Sequence, residues 1–223
     1  MNISLKNMTI GLSEKTILIC GEYSRVFPFV VNLIEMNSKN TLLLLDDFNM
    51  RTLLNEVSSF DLGKLSTMTV SKFESLVELD RILEHSETLL LNKGLFGLLV
   101  LGSLSNAYLR EISLHEPNSH SNILYLLNKI LAFFSFLSKK CGCTGILIGP
   151  SRDLDGEANI PAKRIFLYWV DYLLELRRCG MGGVIGELTA KNGEKKRLCI
   201  PLKRIREMGE VRECDEDACP RNV

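Results

Sequence analysis

The sequence lacks several features that would settle a functional class at once. Its 27 Lys and Arg are cancelled by 27 Asp and Glu, and the missing net charge excludes a histone-like nucleic-acid binder. No internal repeat, low-complexity tract or linker divides the 223 residues, a length that suits one domain. No uninterrupted apolar run is long enough to span a bilayer. Thr88–Leu109 carries a single charge, Lys93, but Asn92, Gly94, Gly97 and Gly102 interrupt it. It reads as a buried strand, Leu98–Leu101, between loops. Only Lys6 precedes Glu14 and no apolar leader follows, so no secretory signal is expected. The cysteine count is odd, seven, and reduced thiols in an intracellular compartment are the expectation.

Metal and nucleophile patterns are also missing. His115 and His120 stand five apart in a polar stretch. Cys141/Cys143 and Cys214/Cys219 offer paired thiols without two further ligands at a recognisable spacing, so no zinc is expected. Ser103 and Ser105 have no evident base nearby, and no catalytic triad is suggested.

What is present is enough for a large core: 46% of residues are hydrophobic and 7% aromatic, which excludes wholesale disorder. Charge is unevenly spread, with 10 basic and 14 acidic residues in 1–120 against 17 and 13 in 121–223. A polyanion contact would therefore fall in the second half. Short apolar runs alternate with helical periods. Thr16–Cys20, Thr41–Leu45, Leu98–Leu101 and Gly145–Gly149 read as buried strands. Helices are expected over Pro28–Met36 and Asn49–Val57, with an amphipathic segment over Phe73–Leu91. The clearest helix follows Ser121, a candidate N-cap: Ile123, Leu126, Leu127, Ile130, Leu131, Phe134 and Leu137 recur at helical spacing, with a stop at Cys141-Gly142. Tyr172–Arg178, Val184–Ala190 and Arg197–Arg204 read as strands, the last two joined at Asn192-Gly193, a hairpin signal. The expected fold is α/β, a mostly parallel sheet with helices on both faces and an antiparallel C-terminal extension. A single core domain is expected over 1–213, with a polar tail over 214–223.

In open parallel sheets ligands bind at the carboxyl ends of strands. The first such turn reads Gly21-Glu22-Tyr23-Ser24-Arg25-Val26-Phe27-Pro28. With Gly11–Thr16 leading in, Leu98–Leu109 as a second nucleotide strand and its turn, Ile160–Asp171 entering the antiparallel part and Lys203–Gly209 closing it, the order of elements resembles the RecA/RadA recombinase superfamily. The likeness is greatest to its short RadB-like and paralogue members, and covers roughly Gly11 to Gly209. It implies a RecA-like P-loop ATPase core.

The nucleotide motifs depart from that pattern. A phosphate loop needs glycines that let backbone N–H groups close on phosphate, a Lys, and a Ser/Thr for Mg²⁺. Gly21 alone stays in place; Ser24 and Val26 replace glycines, Phe27 the lysine and Pro28 the Ser/Thr, while Gly102 replaces the metal-ordering Asp of the second strand. Arg25 could return a positive charge but not the glycine geometry. No cofactor is expected. Asp46-Asp47 could serve a metal or a general base, but a solvated turn or helix N-cap is the preferred reading.

The resemblance also implies two single-stranded-DNA loops, matched here by Arg110–Asn122 and Gly149–Arg164. The candidates are Arg152, Lys163 and Arg164, with Lys203, Arg204 and Arg206 after the last strand. Lys195, Lys196 and Arg197 add to that basic group, whose alternative is a solvated sheet edge guarded by cations. The Phe-x-x-Ala polymerisation motif of the family is absent, so a hetero-oligomer is expected over a long homo-filament. The expectation is a pseudo-ATPase accessory subunit in homologous recombination and DNA repair. Its partner would be another paralogue or the recombinase, in the nucleus of a eukaryote or the cytoplasm of an archaeon. The alternatives are an active ATPase with an unusual phosphate site and a KaiC-like scaffold without a DNA role.

Overall fold

In the computed structural model the described residues are 2–3, 14–21, 23–57, 62–91, 95–151, 161–178, 184–200 and 211–213. They form β1 (Asn2–Ile3), β2 (Thr16–Gly21), α1 (Tyr23–Met36), β3 (Asn40–Leu45), α2 (Asp47–Val57), α3 (Leu62–Ser66) and β4 (Met68–Lys72). There follow α4 (Leu76–Leu90), β5 (Phe96–Leu101), α5 (Leu104–Leu114), α6 (His120–Cys141) and β6 (Thr144–Ser151). The chain continues through α7 (Lys163–Trp169), β7 (Tyr172–Arg178), β8 (Val184–Ala190), β9 (Lys195–Ile200) and β10 (Val211–Glu213).

All ten strands join one sheet in the order β1-β10-β9-β8-β7-β2-β6-β5-β3-β4. From β7 to β4 every pairing is parallel, while β7-β8-β9-β10-β1 is antiparallel. The expected α/β architecture, parallel with an antiparallel extension, is what forms. Strands β2, β3, β5 and β6 are apolar at most positions because both of their faces are covered. Leu18, Leu42, Leu44, Leu99, Leu101 and Leu147 face the layer of α4, α5, α6 and α7. Their neighbours Ile17, Ile19, Leu43, Leu45, Leu98, Val100, Ile146 and Ile148 face α1 and α2. A strand's period of two thus feeds two cores from one run.

Helix α6 is the spine of the first layer, burying Ile123, Leu127, Ile130, Leu131, Phe134 and Leu137. By length and composition the segment Pro117–Cys141 could cross a membrane, but here its inner stripe lies against the sheet and α4. The helix ends at Gly142, in the left-handed region at φ 69°, as the Cys141-Gly142 stop predicts. Its start differs from expectation. Helix α6 begins at His120, and Ser119, not Ser121, precedes it without a side-chain cap. The imidazole of His120 lies instead against the carbonyls of Ile112 and His115, at 3.1 and 3.2 Å, and so ties the start of α6 to the end of α5.

The Asn192-Gly193 hairpin forms, with Ala190 N–H donating to the Glu194 carbonyl at 2.8 Å. Strand β9 ends at Ile200; the expected continuation to Arg204 lies outside the described residues. The elements β1, α3, β4, α5 and β10 were not anticipated. The amphipathic stretch Phe73–Leu91 forms one helix, α4, over Leu76–Leu90. Phe73 follows β4, and Ser75 caps α4 by accepting from Glu78 N–H at 3.1 Å. Arg110–Asn122, expected as a DNA loop, is largely helical, falling in α5, a short 3₁₀ turn at Pro117–Ser119 and the start of α6.

Candidate functional site

The parallel strands end together on one side of the sheet, so Gly21, Leu45, Lys72, Leu101 and Ser151 mark a single edge. At its centre the phosphate-loop position is closed. Strand β2 runs to Gly21 and α1 starts at Tyr23, which leaves no span of loop to wrap a phosphate. Val26 and Phe27, in the places of a glycine and the lysine, are 1% and 2% exposed and belong to the α1–α2 side of the core. Pro28 lies inside α1, where it has no N–H to donate. Ser24 and Arg25 lie in the first turn of α1.

Packing alone accounts for a glycine at position 21. Its φ is +138°, and a Cβ there would sit 2.2 Å from the Leu176 carbonyl oxygen of β7. Only a residue without a side chain allows that approach. At Gly102 an added Cβ would lie 2.8 Å from Leu45 Cδ2 and 3.3 Å from Asn49. The space an aspartate would need is filled by packing.

The two aspartates at the end of β3 are engaged locally. Asp46 caps α2: its Oδ1 accepts from the backbone N–H of Asn49 at 3.2 Å and also from the Asn49 side-chain amide. This matches the N-cap reading. Burial raises the Asp46 carboxyl above its ordinary value, against the opposing pull of Asn49. Asp47 pairs with Arg51 at 2.8 Å and Lys72 at 3.1 Å, and Lys72 also reaches Glu74 at 2.9 Å. The bond from Lys72 holds the Asp47 carboxyl below the usual range. Among the described residues, Asp47, Arg51, Lys72 and Glu74 of this edge are thus paired carboxylate against cation. Among the described residues no cluster of three His, Cys, Asp or Glu could hold a metal ion.

At the end of β5, Ser103 adopts a left-handed backbone, φ 47°, and its carbonyl accepts from the Asn106 and Ala107 N–H groups. Ser105 Oγ is buried without a partner among the described residues. Arg110, on α5, is near enough to Asp46 and Glu74 to favour their charged forms.

The other candidates are scattered. Lys163 and Arg164 are exposed at the start of α7 and make no ion pair among the described residues. Arg152, Lys203, Arg204 and Arg206 lie outside the described residues. Lys195 and Lys196 are paired with Glu187 at 2.9 Å and Glu194 at 3.7 Å. Cys20, Cys141 and Cys143 are buried and not disulfide-bonded, and burial pushes Cys143 up to about 12, far from a reactive thiolate. Cys199 is disulfide-bonded, which corrects the expectation of reduced thiols throughout; an odd count requires one unpaired thiol but does not forbid a bridge. Trp169 packs rather than stacks on a base, its indole N–H donating to Asn128 Oδ1 at 2.8 Å.

No model of a known protein family matches the chain, and no curated protein is similar to it.

Gly21→Ala should destabilise the protein by about 3 kcal/mol, the combined scale of overpacking and backbone strain, as read by urea unfolding. A glycine kept only for phosphate contact would tolerate alanine with no loss. The raised Asp46 carboxyl means that the folded chain holds this proton more tightly than the unfolded chain does. Its contribution to stability is full below the unfolded value and is lost as pH rises through the folded one. Wild type should therefore lose stability relative to Asp46→Asn as pH rises above the ordinary carboxyl value of 3.8; an unchanged or rising difference contradicts the burial effect.

Proposed function

We propose that this chain is a non-catalytic RecA-like binding subunit, accessory to homologous recombination, that contacts a partner protein and single-stranded DNA without using nucleotide. The strand order supports the RecA-like part of the reading. Strand β2, first of the parallel set, does not pair with its successor β3; it lies between β6 and β7. That departs from the doubly-wound orders of dinucleotide- and flavin-binding sheets, where the first parallel strand neighbours the second. The observation that carries the pseudo-ATPase reading is Phe27, buried in the core at the lysine position. Phosphoryl transfer depends on cations placed around the phosphates, and at this edge Arg51 and Lys72 are paired with Asp47 and Glu74.

A partner surface is supported by β4. Among the described residues it pairs only with β3 and ends the sheet, so its other side offers a template for an added strand. Beside it lies a groove of about 510 Å³ between β4 and α4, lined by Val70, Ile82 and Leu89 among others. The DNA part rests on Lys163 and Arg164. A KaiC-like scaffold without a DNA role is the second reading, favoured by the helical state of Arg110–Asn122 and the pairing of Lys195 and Lys196.

Calorimetry with ATP and Mg²⁺ should give no binding heat; saturable binding abolished by Asp46→Ala overturns the pseudo-ATPase reading. Binding to single-stranded DNA should weaken with salt. Lys163→Ala with Arg164→Ala should reduce the log–log salt slope by about 1.4, at about 0.7 per lost phosphate contact. No binding at low salt transfers the assignment to the scaffold.

A further inference from the structure

Helix α7 is held to the core by Phe166, which is buried, while another side of the helix faces water. Tyr168 is 64% exposed. Arg164, one turn earlier on the same side, is exposed too, as is Lys163. The Tyr168 ring is nevertheless fixed in place. Trp169 meets it edge-on, with ring centroids 5.0 Å apart and planes at 87°, and Trp169 is itself anchored by its bond to Asn128. Lys191, just past the end of β8, donates to the Tyr168 carbonyl at 2.6 Å and holds its ammonium 5.1 Å from the ring centroid. Among the described residues Lys163, Arg164 and Lys191 make no ion pair. The carboxylates flanking this region are engaged elsewhere: Asp171 pairs with Lys139 at 3.6 Å and Glu194 with Lys196 at 3.7 Å.

We propose that Tyr168 is a stacking platform for a base of single-stranded DNA, with Lys163, Arg164 and Lys191 taking the phosphates beside that base. The inference rests on the DNA contact proposed above and gives it an aromatic centre. Packing does not account for Tyr168, because Phe166 and Trp169 supply the packing and the tyrosine ring is mostly in water. Lys191 covers one face of that ring and Trp169 one edge, so the exposure falls on the opposite face. Single-strand binders without sequence preference combine such a ring with cations that track the backbone, since every base offers a π-face. From Arg164 to Tyr168 the helix rises about 6 Å, so the arginine side chain reaches the phosphate flanking a base on the ring. A ring already held by Trp169 and Lys191 loses little freedom when a base settles on it, which favours binding.

The test is fluorescence anisotropy of a labelled oligothymidylate with the full chain at low salt, beside an abasic strand of the same length. Wild type should bind the thymidine strand more tightly than the abasic one. Tyr168→Ala should weaken binding of the thymidine strand by about 5-fold to about 150-fold, the range for one stacked base, and erase the preference. Tyr168→Phe, which keeps the ring, should retain it. Lys163→Ala with Arg164→Ala should instead lower the salt slope and leave the preference in place. Far-ultraviolet circular dichroism checks the fold of each variant; should Tyr168→Ala misfold, the wild-type comparison of the two strands decides. Equal affinity for both strands, or undiminished binding by folded Tyr168→Ala, overturns the platform and leaves the DNA contact standing. No binding of either strand by wild type overturns both.

Discussion

The structure depends on how closely β2 is pressed between its neighbours. Its last residue, Gly21, lies against the Leu176 carbonyl with no room for a methyl group, and parallel pairing to β6 and β7 holds it there. With the strand so placed, α1 starts almost at once, and its first turns send Val26 and Phe27 into the core. A phosphate loop needs slack backbone with free N–H groups. This junction lacks the slack, since one residue separates β2 from α1. The same economy holds along the edge: Asn49 fills the space beside Gly102 and caps through Asp46, and Lys72 occupies Asp47 and Glu74. The carboxyl edge, where parallel sheets ordinarily bind ligands, is spent on holding the sheet and its helices together.

Much of the fold was legible because burial on both faces writes strands as unbroken apolar runs. Thr16–Cys20, Thr41–Leu45 and Leu98–Leu101 each match a strand to within two residues at either end. The period of α6 was equally plain, as was the turn at Asn192-Gly193. Strand β4 was not legible. It sits at the sheet edge with little buried surface, and Met68-Thr-Val-Ser-Lys72 carries only a faint alternation beside a strongly helical segment. Helix α5 was hidden because its few buried residues, Leu104, Ser105 and Ala107, follow a glycine and include a serine. Pro28 pointed to a helix start at 28, whereas α1 tolerates it one turn further in.

That Phe27, Pro28 and Gly102 lack the groups phosphate and metal binding need could be read directly. What replaced them could not. The cation that occupies Asp47 comes from Lys72, on the strand that was missed, and nothing local in the sequence links the two. The reason for Gly21 was equally invisible, because Leu176 lies 155 positions away and meets it only through the parallel register of β2 with β7.

The central claim is that the start of α1 is part of the core and not an open loop. Native-state hydrogen exchange at the amides of Phe29, Val30 and Val31 tests it most directly. Protection close to that of β2 and β6, unchanged by ATP and Mg²⁺, is the result this account predicts. Exchange orders of magnitude faster than in those strands, slowing when nucleotide is added, would contradict it.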